Sequence, residues 1–255
     1  MENTIIDGLN GLFNLCDNSE RLLKNIIENT YFFCPDIVEK QAKELLSNEE
    51  GSPLFIRKSN GIDYYDKDKN IINSNKAATL NKQACYIKLN DEFVGIKVDY
   101  DGNKEVRRQI RKYTGYRVSE GENNNFVNYT ITHIWGNTNN RYYFSFMWNY
   151  CLTPSYAAFI TDKSNKNKAL QDSKKFTELL QKTLKTIAIK LYNPVDLMGD
   201  KIDNNDFNDN DFELDLSLIE LNFIGKREVN EKNGKLYFKK PGPIYKNKIK
   251  DIICD

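Results

Sequence analysis

The spacing of apolar residues changes along this chain, and each change predicts a switch between helix and strand. After the capping residues Asp17 to Ser19, a helix is predicted to bury one stripe, formed by Leu22, Leu23, Ile26 and Ile27. Residues 84–100 predict a hairpin of two strands, and a long amphipathic helix follows Asp172. This succession indicates an α+β fold.

We therefore expect a single domain over residues 1–255 with three regions. Residues 1–60 are expected to be helical, and residues 84–165 to be rich in β-strand. Residues 172–255 are expected to hold a helix and C-terminal strands, with an exposed acidic loop at 196–212. The length is ample for one large hydrophobic core.

Composition excludes several classes of protein. Hydrophobic residues make up 40% and charged residues 29% of the chain, and no apolar run approaches the roughly 18 residues of a membrane span. The N-terminus lacks the basic segment of a secretory signal. Five cysteines lie far apart with no CxxC pair, which argues against a thiolate zinc site. A reducing cytoplasm is the expected compartment, with no membrane partner.

Positive charge is concentrated in the middle of the chain. Residues 61–194 contain 21 Lys and Arg against 13 Asp and Glu, although the whole chain carries a net charge of only +1. A helix predicted over residues 104–113 places its cations on one side, chiefly Lys104, Arg107, Arg108 and Arg111. Such a stripe suits a polyanion such as DNA, and the alternative is an ordinary solvated face.

The only histidine, His133, ends a strand-like run in this basic region. A lone imidazole cannot share a metal with a second histidine, but it can accept a proton as a general base near pH 7. The alternative is a half-buried histidine of the core. Several aromatic residues nearby can stack bases, although their irregular spacing favours the core: Trp135, Phe144, Phe146, Trp148, Tyr150 and Tyr156.

The order strand, histidine, loop, strand, helix resembles the HNH or ββα-metal endonucleases. The resemblance covers residues 103–165 and rests on the phrases His133-Ile-Trp-Gly and Trp148-Asn149-Tyr-Cys-Leu-Thr-Pro, then Asp162-Lys163. It implies that His133 activates water. It also implies that Asn149 braces the loop and orients that water, and that the fold contains a central ββα-metal module.

Both customary metal-ligand positions depart from the family pattern. Thr132 stands before the histidine, and Ala158 stands nine residues after Asn149. The family uses one divalent cation, here Mg²⁺ or Mn²⁺, whose oxygen ligands Asp162, Asn137 or Asn139 can supply in an altered register. The alternative is that the metal has been lost.

The resemblance thus implies a metal-dependent DNA endonuclease of the restriction or antiviral defence type. Lys104, Arg107, Arg108 and Arg111 are expected to hold the DNA backbone, with Arg141 and Lys163 as further phosphate contacts. The alternative is a catalytically inactive module that binds nucleic acid or protein. The sequence leaves monomer and homodimer open.

Overall fold

The computed structural model describes most of the chain, namely residues 19–48, 54–80, 85–89, 91–100, 102–118, 125–157, 171–207, 219–225, 228–232, 235–240 and 242–248. The α-helices, numbered in chain order, are α1 Ser19–Glu28, α2 Pro35–Ser47, α3 Ser74–Thr79, α4 Lys104–Thr114, α5 Arg141–Ser145, α6 Gln171–Tyr192 and α7 Pro194–Met198.

Twelve strands are described. They are β1 Tyr31–Phe33, β2 Phe55–Arg57, β3 Tyr64–Tyr65, β4 Ile71–Ile72, β5 Cys85–Leu89, β6 Glu92–Asp99, β7 Tyr129–His133, β8 Tyr150–Pro154, β9 Glu220–Ile224, β10 Glu228–Lys232, β11 Lys235–Lys240 and β12 Ile244–Lys248.

These elements form an α+β fold with two five-stranded sheets. The first sheet has the strand order β12-β9-β1-β8-β7, and the second has the order β2-β6-β5-β3-β4. Strand β1 runs parallel to β9, β2 runs parallel to β6, and the other neighbours in these sheets are antiparallel. A separate ribbon pairs β10 with β11.

The predicted helices form where their apolar stripes find a core. Helix α1 buries the four residues of its predicted stripe. Helix α2 starts with Pro35 at a position where the missing amide proton costs nothing. Helix α4 ends at Gly115, which adopts the left-handed conformation that suits glycine. The hairpin of β5 and β6 is also confirmed.

The aromatic residues near His133 are core residues, as their spacing favoured. Trp135, Phe144, Phe146, Trp148 and Tyr150 are buried in the larger of two apolar clusters. Tyr156 is the exception, because it is exposed and its hydroxyl donates to Asn25 Oδ1. These buried rings provide packing, which leaves little room for base stacking at this place.

Two regional expectations were wrong. Residues 1–60 are not wholly helical, because β1 lies in the middle of the first sheet and β2 lies at an edge of the second. Three-residue strands are too short to show alternation, so the sequence pattern missed them. Of the expected exposed loop at 196–212, the structure describes residues 196–207. They contain the end of α7 and two short helical turns, and Met198, Ile202 and Phe207 among them are buried.

The β-rich region 84–165 is divided between the two sheets. Strands β5 and β6 belong to the second sheet, whereas β7 and β8 belong to the first. Strand β8 pairs with β7 on one side and with β1 on the other. Strands β7 and β8 are therefore part of a larger sheet and do not form an isolated hairpin. Within the part of the chain described, no helix combines the length and apolarity needed to cross a membrane.

Gly225 supplies a test of how tightly β9 and β12 are joined. A Cβ atom there would lie 2.8 Å from Pro243 Cγ and 2.9 Å from Pro243 O. Gly225→Ala should therefore lower the free energy of unfolding by about 1–3 kcal/mol in urea denaturation. Gly61→Ala is the control, because its nearest neighbour is Ser59 Oγ at 3.8 Å. Equal stability of the two variants would contradict this packing.

Candidate functional site

His133 is the last residue of β7 and pairs across the sheet with Tyr150. Its ring stacks on Phe144, with centroids 5.3 Å apart and planes inclined by 12°. Tyr150 contacts the ring edge-on at 5.8 Å. The two aromatic side chains fix the plane of the imidazole.

Asn103, at the start of the basic helix α4, fixes the tautomer of His133. Asn103 Oδ1 lies 2.9 Å from His133 Nε2. A carbonyl oxygen only accepts, so Nε2 carries the proton and Nδ1 keeps its lone pair. Nδ1 is buried and has no hydrogen-bond partner among the described residues. This contact brings the predicted base and the predicted basic helix together.

His133 is neutral in the folded protein. Burial, and after it the positive charge of Arg57, lowers the pKa of His133 to about 3. Arg57 is the last residue of β2, and its guanidinium also approaches Gly102 beside Asn103. The imidazole therefore has an unprotonated nitrogen at neutral pH, but it binds a proton weakly.

Asn149 holds the loop 134–149 that connects β7 to β8. Its Oδ1 accepts from the Trp135 amide at 2.8 Å, and its Nδ2 donates to Tyr143 O at 2.7 Å. Its own carbonyl accepts from Ile134 N at 2.7 Å. The side chain is fully buried, so it faces loop backbone and not solvent. This geometry corrects the expectation that Asn149 orients the attacking water, because its place is that of a brace.

The predicted DNA-binding residues differ in how free they are. Lys104, Arg108 and Arg111 are exposed on α4. Arg107 is half-buried and donates to Gly102 O at 3.2 Å. Arg141 donates to Tyr142 Oη at 2.7 Å and lies over the Tyr142 ring. Lys163 lies outside the described residues.

The described residues do not provide a ligand set for a divalent cation. Within them, no three His, Cys, Asp or Glu side chains come together. Thr132 shares a hydrogen bond with Thr153, with 2.6 Å between their Oγ1 atoms. Asn137 is exposed in a left-handed conformation and offers one neutral oxygen. Asp162 and Ala158 lie outside the described residues.

Two residues of this site, Asn103 and Arg57, were not predicted from the sequence. Asn103 had a weak signal, since asparagine often precedes a helix and tolerates the left-handed conformation found here. Arg57 had none, because it follows a short apolar run far from His133 in the chain. Only the pairing of β2 with β6, which carries Arg57 opposite Asp99, brings it to the start of α4.

A family model described as uncharacterised protein PM1201 matches residues 33–252. The chain belongs to this family. The PM1201 match contains every part of the site, including Arg57, Asn103, His133 and Asn149. No curated protein and no solved structure matches the chain. Membership of the PM1201 family therefore assigns no activity to this chain.

The lowered pKa of the single histidine predicts a pH dependence of stability. Unfolded chains titrate histidine near pH 6.5, so acid protonates the unfolded state before the folded state and favours unfolding. The stability that the neutral His133 contributes is fully present above about pH 6.5 and is lost as the pH falls toward 3. Between pH 7 and pH 5, the wild type should lose about 2 kcal/mol more unfolding free energy than His133→Gln. Equal losses in urea titrations would place the folded pKa near 6.5.

Removal of the loop brace should be costly. Asn149→Ala leaves the Trp135 amide and the Tyr143 carbonyl buried without a partner, at about 1–3 kcal/mol for each. We expect a loss of roughly 2–6 kcal/mol in chemical denaturation. Asn139→Ala, at an exposed position in the same loop, is the matched control and should change stability by less than about 0.5 kcal/mol. A loss below about 1 kcal/mol for Asn149→Ala would contradict the bracing role.

Proposed function

We propose that this protein hydrolyses phosphodiester bonds of DNA, with His133 as the proton acceptor for the attacking water. The observation that carries the proposal is the hydrogen bond between His133 Nε2 and Asn103 Oδ1. It leaves the lone pair of Nδ1 as the basic site, and a general base needs its partner to fix ring and tautomer in this way. The HNH resemblance agrees with the position of His133 at a strand end.

The charges around His133 suit an anionic substrate. Arg57 already acts on the imidazole electrostatically, and Lys104 follows Asn103 directly on α4. A phosphodiester bound beside Arg57 would neutralise the positive charge that now lowers the pKa of His133. Its own negative charge would raise that pKa further, because an anion stabilises imidazolium. Substrate binding would thus make His133 a stronger base.

The proposal includes one divalent cation, Mg²⁺ or Mn²⁺. When bound, such an ion supplies positive charge for the phosphate and the leaving oxygen. The described side chains do not fit a cation site by themselves, so the proposal assigns no step to the metal. Asp162 and Asn137 are the oxygen donors put forward from the sequence.

A second candidate is a nucleic-acid-binding module without catalysis. Two observations favour it: Nδ1 of His133 is buried, and burial holds the pKa at about 3, far from the value near 7 that suits a general base. The exposed cations of α4 would serve either function. The biological setting, restriction or antiviral defence in the cytoplasm, rests on the HNH resemblance alone and belongs to the first proposal. The same holds for a homodimer.

Cleavage of supercoiled plasmid separates the two candidates. Wild type with Mg²⁺ or Mn²⁺ should nick or linearise the plasmid, and EDTA should stop it. His133→Ala should lower the rate by about two to four orders of magnitude, the usual contribution of a general base, with DNA affinity nearly unchanged. Thr130→Ala, on the same strand and half-buried, is the control.

Two outcomes are informative. If wild type binds DNA but never cuts it with either metal, the second candidate is correct. If His133→Ala cuts as fast as wild type, the histidine is a core residue and another group is the base. Since His133→Ala leaves a hole beside Phe144, His133→Gln is measured in parallel, and its thermal unfolding shows whether lost activity reflects lost folding.

A further inference from the structure

A cleft of about 700 Å³ lies between helix α4 and the second sheet. Strand β6 contributes Lys97, Tyr100 follows its end, and α4 contributes Lys104 and Arg108. A smaller cavity of about 190 Å³ shares Lys97 and Arg108 with the cleft and reaches Phe144, the ring on which His133 stacks. The linings of the two spaces also share Phe55 and Glu105, whereas His133 lines neither of them.

The cleft presents positive charge. Lys104 and Arg108 are exposed, and Lys97 is partly exposed with its Nζ 5.6 Å from the centre of the Phe55 ring. The lining also holds two acids, of which one is turned inward and the other is paired with a cation of the cleft. Asp99 is buried and accepts from the Glu105 amide at 2.8 Å. Glu105, whose side chain is 14% exposed, accepts from Arg108, whose side chain remains 69% exposed. The lining therefore holds three cations against two acids, one of them buried.

Tyr100 adds an aromatic surface to this cationic cleft. The residue is 63% exposed, which is unusual for an aromatic residue of this size, and Lys58 Nζ lies 4.6 Å from the ring centre. Exposed rings among phosphate-binding cations are the pattern of proteins that bind single-stranded nucleic acid, because every unpaired base has a face that can stack. A paired base inside a duplex has no free face to offer.

We propose that this cleft binds one unpaired strand of DNA. Lys97, Lys104 and Arg108 bind successive phosphates, and a base stacks on Tyr100. The volume is that of a site for a few nucleotides and is too small for a duplex. This inference rests on the proposed nuclease function for its consequence, which is that the substrate class is single-stranded DNA or a locally opened duplex.

Fluorescence anisotropy with a labelled single strand of about twelve thymidines tests this inference. EDTA is present, so that no cleavage occurs. Tyr100→Ala should weaken binding about tenfold, the usual effect of losing one stacked base, whereas Tyr100→Phe keeps the ring and should stay within about twofold of wild type. Inorganic polyphosphate is an anion without bases. Its inhibition constant for displacing the labelled strand should therefore be the same for wild type and both variants.

A second measurement follows the cations. The double variant Lys97→Gln, Arg108→Gln should flatten the plot of log affinity against log salt by about 1.4, since each phosphate contact on a single strand contributes about 0.7. Lys246→Gln, an exposed lysine on β12, is the charge control and should leave the slope nearly unchanged. Thermal unfolding of each variant confirms that it is folded.

Several outcomes would contradict the proposal that the cleft binds an unpaired strand. They are failure of wild type to bind the single strand, equal affinity of Tyr100→Ala and wild type, loss of affinity in Tyr100→Phe as large as in Tyr100→Ala, or an unchanged salt slope in the double variant. The proposed activity fails separately. If the single strand binds as expected but wild type cuts neither it nor plasmid with Mg²⁺ or Mn²⁺, the binding proposal is supported and the proposed nuclease activity is wrong.

Discussion

The hydrogen bonds of the buried Asn149 side chain hold together the part of the molecule on which the candidate site depends. They tie Asn149, the last residue of the loop 134–149, to Trp135 near its start and to Tyr143 in its middle. That loop then joins the two sheets, because Ser145 Oγ accepts from Phe55 N and Arg57 N donates to Thr138 O. A loop held at both sheets can present Phe144 as a rigid support for His133.

The same loop is tied to the helices by a second buried amide. Gln41 of α2 donates to Ser145 O at 2.8 Å and accepts from Met147 N at 3.1 Å. Buried polar groups are costly unless they are paired, and here each amide satisfies backbone groups that a loop would otherwise leave unpaired in the core. The aromatic side chains of the loop can then be buried without loss of backbone hydrogen bonds.

His133 is placed where burial and charge act in the same direction. Phe144 and Tyr150 enclose the ring, and Arg57 opposes a positive charge on it. A neutral imidazole beside exposed cations suits a negatively charged ligand, since the ligand would relieve the unfavourable charge balance.

The sequence by itself determined the helices and strands that are long enough to show a periodic spacing of apolar or charged residues. The stripes of α1 and α6, the hairpin of β5 and β6, the basic face of α4 and the strand that ends in His133 all follow from residue spacing. The resemblance singled out Asn149 as the brace of its loop, and the burial of most nearby rings followed from their spacing.

Only the tertiary structure decided which strands share a sheet and which residues meet His133. Strand β1 has three residues and no period, and Asn103 and Arg57 reach the imidazole through pairings between segments far apart in the chain. The spacing of neighbouring residues does not predict such long-range contacts, because the free energy that selects these contacts comes from packing of the whole core.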